Sequence, residues 1–279
     1  MLTNRISQAS AISTFQLPIT TSSKALQTFT YKLNGRGTNP SRQDAPHPHG
    51  ITVEPNGNWL VAPDLGADLL RLYSIDKTSG KLTECTPFIV PGGTGPRHAA
   101  FYVPGTSSRV MARQAAAGTM MYTANELGNS VSAYTVSSSG AGCPTLKLVQ
   151  TLTPYAGNKA APRGTKVAEV RVKGNFLYSA QRNDKSFSPN DSMTYFKIGS
   201  DGQLTYGASS SSYGTYPRTF SINKDGTMVA IGDQTTANVA IVSRDATTGA
   251  LGSQIATLRV ASAGTPENED GLSSVVWAD

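Results

Sequence analysis

Four segments of this chain repeat one plan of short strands and glycine turns, and this repeat limits the possible folds more than any other feature. Each segment has the pattern strand, glycine turn, strand, polar loop, strand, glycine turn and strand. The glycines of the four first turns lie 48, 69 and 52 residues apart; they are Gly57, Gly105, Gly174 and Gly226. A repeat of about 40–50 residues that holds four strands has the size of one β-propeller blade.

A single four-stranded blade cannot bury both faces of its sheet, so such blades must stack against one another. No long amphipathic helical pattern separates the segments, which argues against alternating strands and helices. The sequence therefore predicts an all-β fold, a β-propeller of four-stranded blades, with residues 1–279 as one domain.

The segments outside the four repeats predict partial blades. Residues 11–33 have the pattern of the outer half of a blade, and residues 272–279 that of one more strand. Propellers usually complete one blade with strands from both ends of the chain, so we expect about two blades to be missing at the N-terminus. Residues 1–10 are expected to be flexible, and residues 107–120 to be an inserted loop.

The composition favours a folded protein with an anionic partner. Apolar residues make up 38% of the chain and charged residues 15%, with a net charge of +6. A basic balance is compatible with nucleic acid, a membrane surface or an anionic small molecule. The Lys and Arg residues form no runs, and no apolar stretch approaches the ~18 residues of a membrane span. We therefore expect an anionic small-molecule substrate, and neither nucleic acid nor a membrane as partner.

The two cysteines, Cys85 and Cys143, lie far apart and form no CxxC motif. They are either a disulfide or two free thiols. With three histidines in the chain, a multi-histidine metal site is not expected, and no cofactor motif is found. A calcium site in Asp and Asn loops stays open. The first residues lack the apolar core of a secretion signal, which favours the cytoplasm. The oligomeric state is left open.

All three histidines lie in two short motifs, PHPHG with His47 and His49, and GPRH with His98. Aligning the segments on their turn glycines gives His49, Arg97 and Arg218 one shared position, just before the first strand. The innermost strands of a propeller line its central channel, so equivalent positions are expected to converge at one mouth of that channel.

A second shared zone is expected after the second strand of each segment, and it contains Asp64, Glu126, Arg182 and Asp233. Guanidinium groups bind carboxylates through paired hydrogen bonds, so such a cleft suits an anionic substrate. An imidazole or a carboxyl group beside them is able to transfer protons. A structural interpretation competes with this one: the histidine and arginines begin blades, Glu126 is their counter-ion, and the aspartates cap turns.

Six motifs, taken in order, carry a resemblance to a known family. They are PHPHGITVEPNG, APDLGADLLRLYSID, TGPRHAAFYVPG, ANEL, SAQR and YPRTFSINKDG. In this order and spacing they resemble the lactonase-type seven-bladed β-propellers, from about residue 11 to the end of the chain. That family includes bacterial 6-phosphogluconolactonase and the fungal carboxy-cis,cis-muconate cyclase.

The resemblance implies an enzyme that opens or closes a lactone ring on a carboxylated or phosphorylated small molecule. It assigns catalytic roles to His49, Glu126, Arg97 and Arg182, and we add His47, His98 and Arg218 as substrate-binding residues. Hydrolysis and cyclisation both remain open. The competing hypothesis is a non-catalytic or inactive truncated propeller that serves as a ligand-binding or scaffold module.

Overall fold

The structure, a computed structural model, describes residues 2–6, 9–33, 35, 37–105, 118–138, 142–268 and 270–278. Its first sheet has three antiparallel strands, β1 (Leu2–Ile6), β2 (Ala9–Thr14) and β3 (Gln27–Lys32). Strand β3 and most of β2 fall within residues 11–33, the expected half-blade. Residues 2–6 were expected to be flexible, but they form a strand because their backbone pairs with β2, from Leu2 opposite Ser13 to Ile6 opposite Ala9.

The four repeats form four antiparallel sheets, and each follows the chain from one strand to the next. Blade A contains β4 (Thr52–Val53), β5 (Trp59–Asp64), β6 (Leu69–Ile75) and β7 (Leu82–Glu84), with β8 (Phe88–Ile89) also paired to β6. Blade B contains β9 (Pro96–Tyr102), β10 (Met120–Asn125), β11 (Ser130–Ser137) and β12 (Thr145–Leu152). A short 3-10 helix (Ala156–Asn158) precedes the third sheet.

Blade C contains β13 (Lys166–Lys173), β14 (Phe176–Arg182), β15 (Ser192–Ile198) and β16 (Leu204–Ser211). Blade D contains β17 (Pro217–Ile222), β18 (Met228–Asp233), β19 (Asn238–Arg244) and β20 (Leu251–Arg259). The four turn glycines that marked the repeat all have positive φ, between 59° and 74°. Glycine adopts this conformation without a steric penalty, which explains why the turns repeat this residue.

The chain divides into two compact units, Met1–Gly128 with Tyr134–Leu148, and Asn129–Ala133 with Val149–Asp279. In the first unit, an apolar core joins blades A and B. Trp59 of β5 packs edge-on against Phe101 of β9, with ring centroids 5.1 Å apart. Each large side chain buried in this way contributes about 1.5–3 kcal/mol to stability.

In the second unit, a buried arginine reinforces the apolar core that joins blades C and D. Arg244 donates from Nε to Tyr178 Oη at 2.6 Å, and from Nη2 to the carbonyl oxygen of Lys173 at 3.1 Å. Its Nη1 donates to the carbonyl oxygen of Gly226, at the first turn of blade D, at 2.5 Å. Burial raises the pKa of Tyr178 to about 12, so this hydroxyl stays protonated and donates to the carbonyl oxygen of Gly249.

Cys85 and Cys143 form a disulfide within the first unit, with their Cα atoms 5.6 Å apart. Cys85 directly follows β7, and Cys143 lies just before β12. The bond therefore joins the last strands of blades A and B, and of the two alternatives left by the sequence the structure has the paired one.

Two expectations at the edges of the repeats had different outcomes. Most of the expected insertion at 107–120 lies outside the described residues, and β10 begins at Met120. Residues 272–278 form no strand, contrary to the expectation of a closing strand. Trp277 instead contacts β17 through its side chain, donating from Nε1 to the carbonyl oxygen of Ser221 at 2.9 Å. An apolar pattern alone does not provide a strand with a partner for its backbone groups.

Candidate functional site

One position at the start of each blade is fixed by the pairing of its first two strands. In three blades a proline comes before it, and that proline lies opposite the last residue of the second strand: Pro48 opposite Asp64, Pro96 opposite Asn125, and Pro217 opposite Asp233. We call the next residue the entry position. It is His49 in blade A, Arg97 in blade B and Arg218 in blade D, as the sequence predicted, and Ala168 in blade C, after Val167 opposite Gln181.

A second position lies at the end of the second strand, one residue after it in blades A, B and D and at its last residue in blade C, and we call it the exit position. It holds Leu65, Glu126, Arg182 and Gln234 in blades A to D. Its backbone N–H donates to the carbonyl oxygen two residues before the entry position, at 2.9 Å from Leu65 to His47, from Glu126 to Gly95 and from Gln234 to Tyr216. In blade C, Arg182 lies opposite Lys166 in the same relation.

The exit position corrects one sequence alignment. From the sequence, Asp64 and Asp233 were expected in one zone with Glu126 and Arg182. The strand registers place the two aspartates one residue earlier than the other two side chains. A shift of one residue moves a strand side chain to the opposite face, so these four residues do not share one orientation.

Glu126 lies between two guanidinium groups in the first unit. Its Oε1 is 2.6 Å from Nη2 of Arg42, and its Oε2 is 3.0 Å from Nε of Arg97. Glu126 and Arg97 are each only 1% exposed. Each carboxylate oxygen therefore faces an arginine, which supports the counter-ion role that the sequence left as an alternative. Buried charges of this kind are stable only when paired.

Two imidazole rings continue this cluster. Nδ1 of His49 is 3.0 Å from Nε2 of His98, and Nη1 of Arg97 is 3.4 Å from the same His98 nitrogen. A guanidinium can only donate, so Nε2 of His98 is the acceptor in this pair of contacts. His49 then carries its proton on Nδ1, which places its basic lone pair on Nε2. The arrangement is suited to proton transfer at His49.

An aspartate fixes the loop that leads into Arg97. Asp68 accepts hydrogen bonds from the backbone N–H groups of Gly93 at 2.8 Å and Gly95 at 2.7 Å. It also accepts from Nε2 of Gln43, the neighbour of Arg42, at 2.7 Å. Asp68 therefore ties the loop that carries Arg42 to the loop that leads into Arg97, and both arginines contact Glu126. Arg42 was missed by the sequence analysis because it belongs to no repeated position or motif.

The remaining predicted site residues lie in other surroundings. His47 has its Nε2 3.6 Å from Asp44 Oδ1, and its backbone N–H donates to Asp64 Oδ1 at 2.6 Å. Arg182 and Arg218 belong to the second unit. The guanidinium of Arg182 lies 5.1 Å from the centre of the Tyr216 ring. Arg218 donates from Nη1 to its exit-position partner Gln234 at 3.3 Å, the contact that Arg97 makes with Glu126 in blade B.

The aspartates that end β5 and β18 have opposite environments. Asp64 caps a turn as expected, since its Oδ1 also accepts from the backbone N–H of Ala67 at 3.0 Å, and its Oδ2 accepts from Nε of Arg71 at 2.8 Å. Asp233 is buried, and neither of its carboxyl oxygens has a well-oriented hydrogen bond within the described part of the chain. Burial raises the pKa of Asp233 well above its usual range; the neighbouring Ser212 and Asn238 side chains oppose this shift, and the charge of Asp191 adds to it.

Neither a metal centre nor a membrane span was found in the regions that the structure describes. No group of three or more His, Cys, Asp or Glu side chains there has the arrangement of a metal site. No helix there has the length and apolar character needed to cross a membrane.

Comparison with known proteins shows matches along most of the chain. Residues 7–266 match the family model described as lactonase, 7-bladed beta-propeller. A probable 6-phosphogluconolactonase of Arthroderma benhamiae is 33% identical over 172 residues, covering 61% of this chain and 40% of the relative. The 6-phosphogluconolactonase of Formosa agariphila is 27% identical over 246 residues, covering 86% of this chain and 63% of the relative. The chain thus spans 40–63% of the length of these curated relatives.

Solved structures agree with the fold. The periplasmic gluconolactonase PpgL of Pseudomonas aeruginosa matches with a TM-score of 0.71 at 23% identity, covering 94% of this chain and 68% of that protein. A protein from Lactobacillus plantarum matches with a TM-score of 0.71 at 22% identity, covering 96% and 67%. At this level of identity the likeness supports the fold, and the chemistry has to be argued from the site.

Proposed function

Because the chain belongs to the lactonase, seven-bladed β-propeller family, we propose that it hydrolyses the lactone ring of a phosphorylated or carboxylated small molecule. The observation that carries this proposal is the continuous polar cluster from Arg42 through Glu126, Arg97 and His98 to His49. It combines a proton acceptor with fixed cations, which are the two elements that lactone hydrolysis needs.

In the proposed reaction, Nε2 of His49 takes a proton from a water molecule. The water oxygen attacks the lactone carbonyl carbon, and the carbonyl oxygen becomes an oxyanion. As the carbonyl re-forms, the ring C–O bond breaks, and the imidazolium returns the proton to the departing ring oxygen. The product is an open-chain hydroxy acid. The contact from His49 Nδ1 to His98 keeps the imidazole in the tautomer that this step requires.

The two arginines of the cluster differ in how far their side chains are exposed to solvent and therefore to a substrate. The side chain of Arg42 is 31% exposed, whereas that of Arg97 is 2% exposed. We therefore assign Arg42 to contact the substrate and its developing negative charge, and Arg97 to position His98. Glu126 holds both arginines. This makes Glu126 a positioning residue and leaves the proton transfer to His49, which narrows the two options of the sequence analysis.

The proposed substrate follows from the relatives, whose names specify 6-phosphogluconolactone. A phosphorylated lactone agrees with the cationic site and with the net charge of +6. The resemblance also assigns Arg182 to catalysis and Arg218 to substrate binding, and we retain both as proposed anion contacts. No contact in the structure specifically favours the cyclisation of a carboxylated muconate, so hydrolysis is the direction that we propose.

A lactone assay on the purified chain tests this function. After circular dichroism has shown a folded β protein, acid release from 6-phosphogluconolactone and from a carboxymuconolactone is measured above the spontaneous rate. We expect turnover of the phosphorylated lactone, a loss of about 100-fold or more in His49→Gln, and a raised KM in Arg42→Ala. Arg259→Ala serves as the matched control, because this arginine is exposed and donates from Nε to the carbonyl oxygen of Ala261.

Two results would contradict the proposal. A folded chain that turns over neither lactone would favour the ligand-binding or scaffold alternative. A chain that turns over only the carboxymuconolactone would favour the cyclase branch of the family.

A further inference from the structure

A second cationic cluster lies in the second unit, between the starts of blades C and D. It consists of Lys166, Arg182 and Tyr216. Lys166 lies opposite Arg182 in the pairing of β13 with β14, and the Arg182 guanidinium lies 5.1 Å from the centre of the Tyr216 ring. Arg182 and Tyr216 are buried. This cluster is defined by contacts independent of the Glu126 cluster.

A carboxylate of the same chain occupies this cluster. Oε2 of Glu267 pairs with Nζ of Lys166, and Oε1 of Glu267 accepts a hydrogen bond from the hydroxyl of Tyr216. Burial by itself would raise the pKa of Glu267. The hydrogen bonds from Lys166 and Tyr216, together with the positive charges of Lys166 and Arg182, outweigh burial and lower it. The cluster thus binds a carboxylate in its ionised form.

The loop that carries Glu267 is attached to the exit position of blade D. Nε2 of Gln234 donates to the carbonyl oxygens of Asn268 and Asp270, each at 2.8 Å. Glu267 has a φ of +70°, a conformation that is unfavourable for a residue with a side chain. Its side chain is 44% exposed, while that of Lys166 is 18% exposed. The carboxylate is therefore held in a strained backbone and remains accessible to solvent.

We infer that Lys166, Arg182 and Tyr216 form an oxyanion-binding site, and that Glu267 is its internal ligand. A small molecule with a phosphate or carboxylate group takes the place of the Glu267 carboxylate when the Glu267 side chain turns away from the cluster. The chemistry that recognises Glu267, two cations and a phenol hydroxyl, recognises such a group equally well. Arg182 is also one of the anion contacts retained in the proposed function, so this inference deepens that function, but anion binding at the site requires no lactone turnover.

The inference has a measurable consequence, because an internal ligand weakens the apparent affinity for an external one. The apparent Kd equals the intrinsic Kd divided by the fraction of molecules in which the site is open. Removing the Glu267 carboxylate raises that fraction and tightens the binding of an external anion. Removing Lys166 takes away a cation of the site and weakens the binding of an external anion.

Binding of inorganic phosphate, measured by calorimetry on the full chain, tests the inference. We expect the phosphate Kd to fall by about fivefold or more in Glu267→Gln and in Glu267→Ala. We expect the double variant with Lys166→Ala to lose this gain. Glu84→Gln removes the same charge in the first unit and is expected to bind phosphate as the unchanged protein does. Acetate, titrated in parallel, distinguishes a site for any oxyanion, with an equal gain, from a site for phosphate, with a gain for phosphate alone.

Equal phosphate affinity in the unchanged protein and in both Glu267 variants would overturn the inference. A gain that survives the loss of Lys166 would also overturn it, because the phosphate would then bind elsewhere. The measurement requires no turnover. An inactive chain that shows the Glu267 effect would therefore contradict the proposed hydrolysis and support this site, and an active chain without the effect would do the reverse.

Discussion

Asp64 and Asp233 end the second strands of blades A and D at the same register, but they differ in their hydrogen bonds. The carboxylate of Asp64 accepts from two backbone N–H groups and from Arg71. Near Asp233, Ser212 donates to the carbonyl oxygen of Gly214 and Asn238 to that of Tyr213, and these two side chains only partly offset the effect of burial on the Asp233 pKa. Burial is the main cause of the raised pKa of Asp233. At the same position of the blade, the ionised carboxylate of Asp64 stabilises the fold, whereas ionisation of Asp233 destabilises it.

This difference predicts opposite effects of the same substitution. A carboxyl group whose pKa is raised by folding contributes stability below its unfolded pKa of about 3.9 and loses it as the pH rises. Asp233→Asn should therefore raise the free energy of unfolding at pH 7, by roughly 1–3 kcal/mol more than it does at pH 4. Asp64→Asn should destabilise it by a similar amount, because Arg71 loses its charged partner. Urea unfolding at both pH values measures this, and a destabilised Asp233→Asn at pH 7 would contradict it.

A second prediction concerns the tautomer of His49. If His98 acts as an acceptor for Nδ1–H of His49, then His98→Ala should lower kcat by about 10-fold or more with little change in KM. His98→Gln keeps an amide oxygen able to accept that proton and should recover most of the rate. Steady-state kinetics on the lactone that the chain turns over provide the test. Equal loss in both variants would show that the acceptor role is wrong.

Glu126 is predicted to matter for stability as much as for activity. Glu126→Gln leaves the buried guanidinium of Arg97 without a charged partner, and breaking a buried ion pair on one side costs about 3–5 kcal/mol. Denaturant unfolding should show this loss. Glu84→Gln is the control, because Glu84 is exposed and accepts from Tyr31. A loss below about 1 kcal/mol, typical of a surface pair, would contradict the burial of the Arg97–Glu126 contact.

The disulfide gives a fourth prediction. Replacing Cys85 and Cys143 together by serine should lower the free energy of unfolding by roughly 2–4 kcal/mol, since the bond closes a long loop of the unfolded chain. A thiol count on the denatured, unreduced protein should give no free cysteine among these two. Two titratable thiols in that count would show that the pair is reduced in the protein as prepared.

The blades could be predicted from the sequence because the turns repeat a specific physical requirement. Each first turn has a positive φ, so a glycine marks it in every repeat, and the spacing of these glycines gives the size of a blade. The position shared by His49 and Arg97 followed from the same spacing. Glu126 was identified as a candidate site residue. Its alignment with Asp64 was wrong by one position, because the sequence does not show where the pairing of two strands shifts.

The parts of the site that come from irregular loops could not be predicted. Arg42 reaches Glu126 from a loop that has no counterpart in the other repeats, and Glu267 reaches Lys166 across 101 residues of sequence. A contact of this kind leaves no periodic signal, because only the folded backbone brings the two residues together. The pairing of Cys85 with Cys143 stayed open for the same reason.

The entry and exit positions recur with different residues on the same backbone frame. Arg97 faces Glu126 in blade B, and Arg218 faces Gln234 in blade D. The hydrogen bond that fixes the two positions involves only main-chain atoms, so it does not depend on which side chains stand there. Each duplication of an ancestral blade would therefore have supplied a new pair of positions on which selection could act. Specificity could therefore change one blade at a time, without disturbing the main-chain hydrogen bond that holds the two positions.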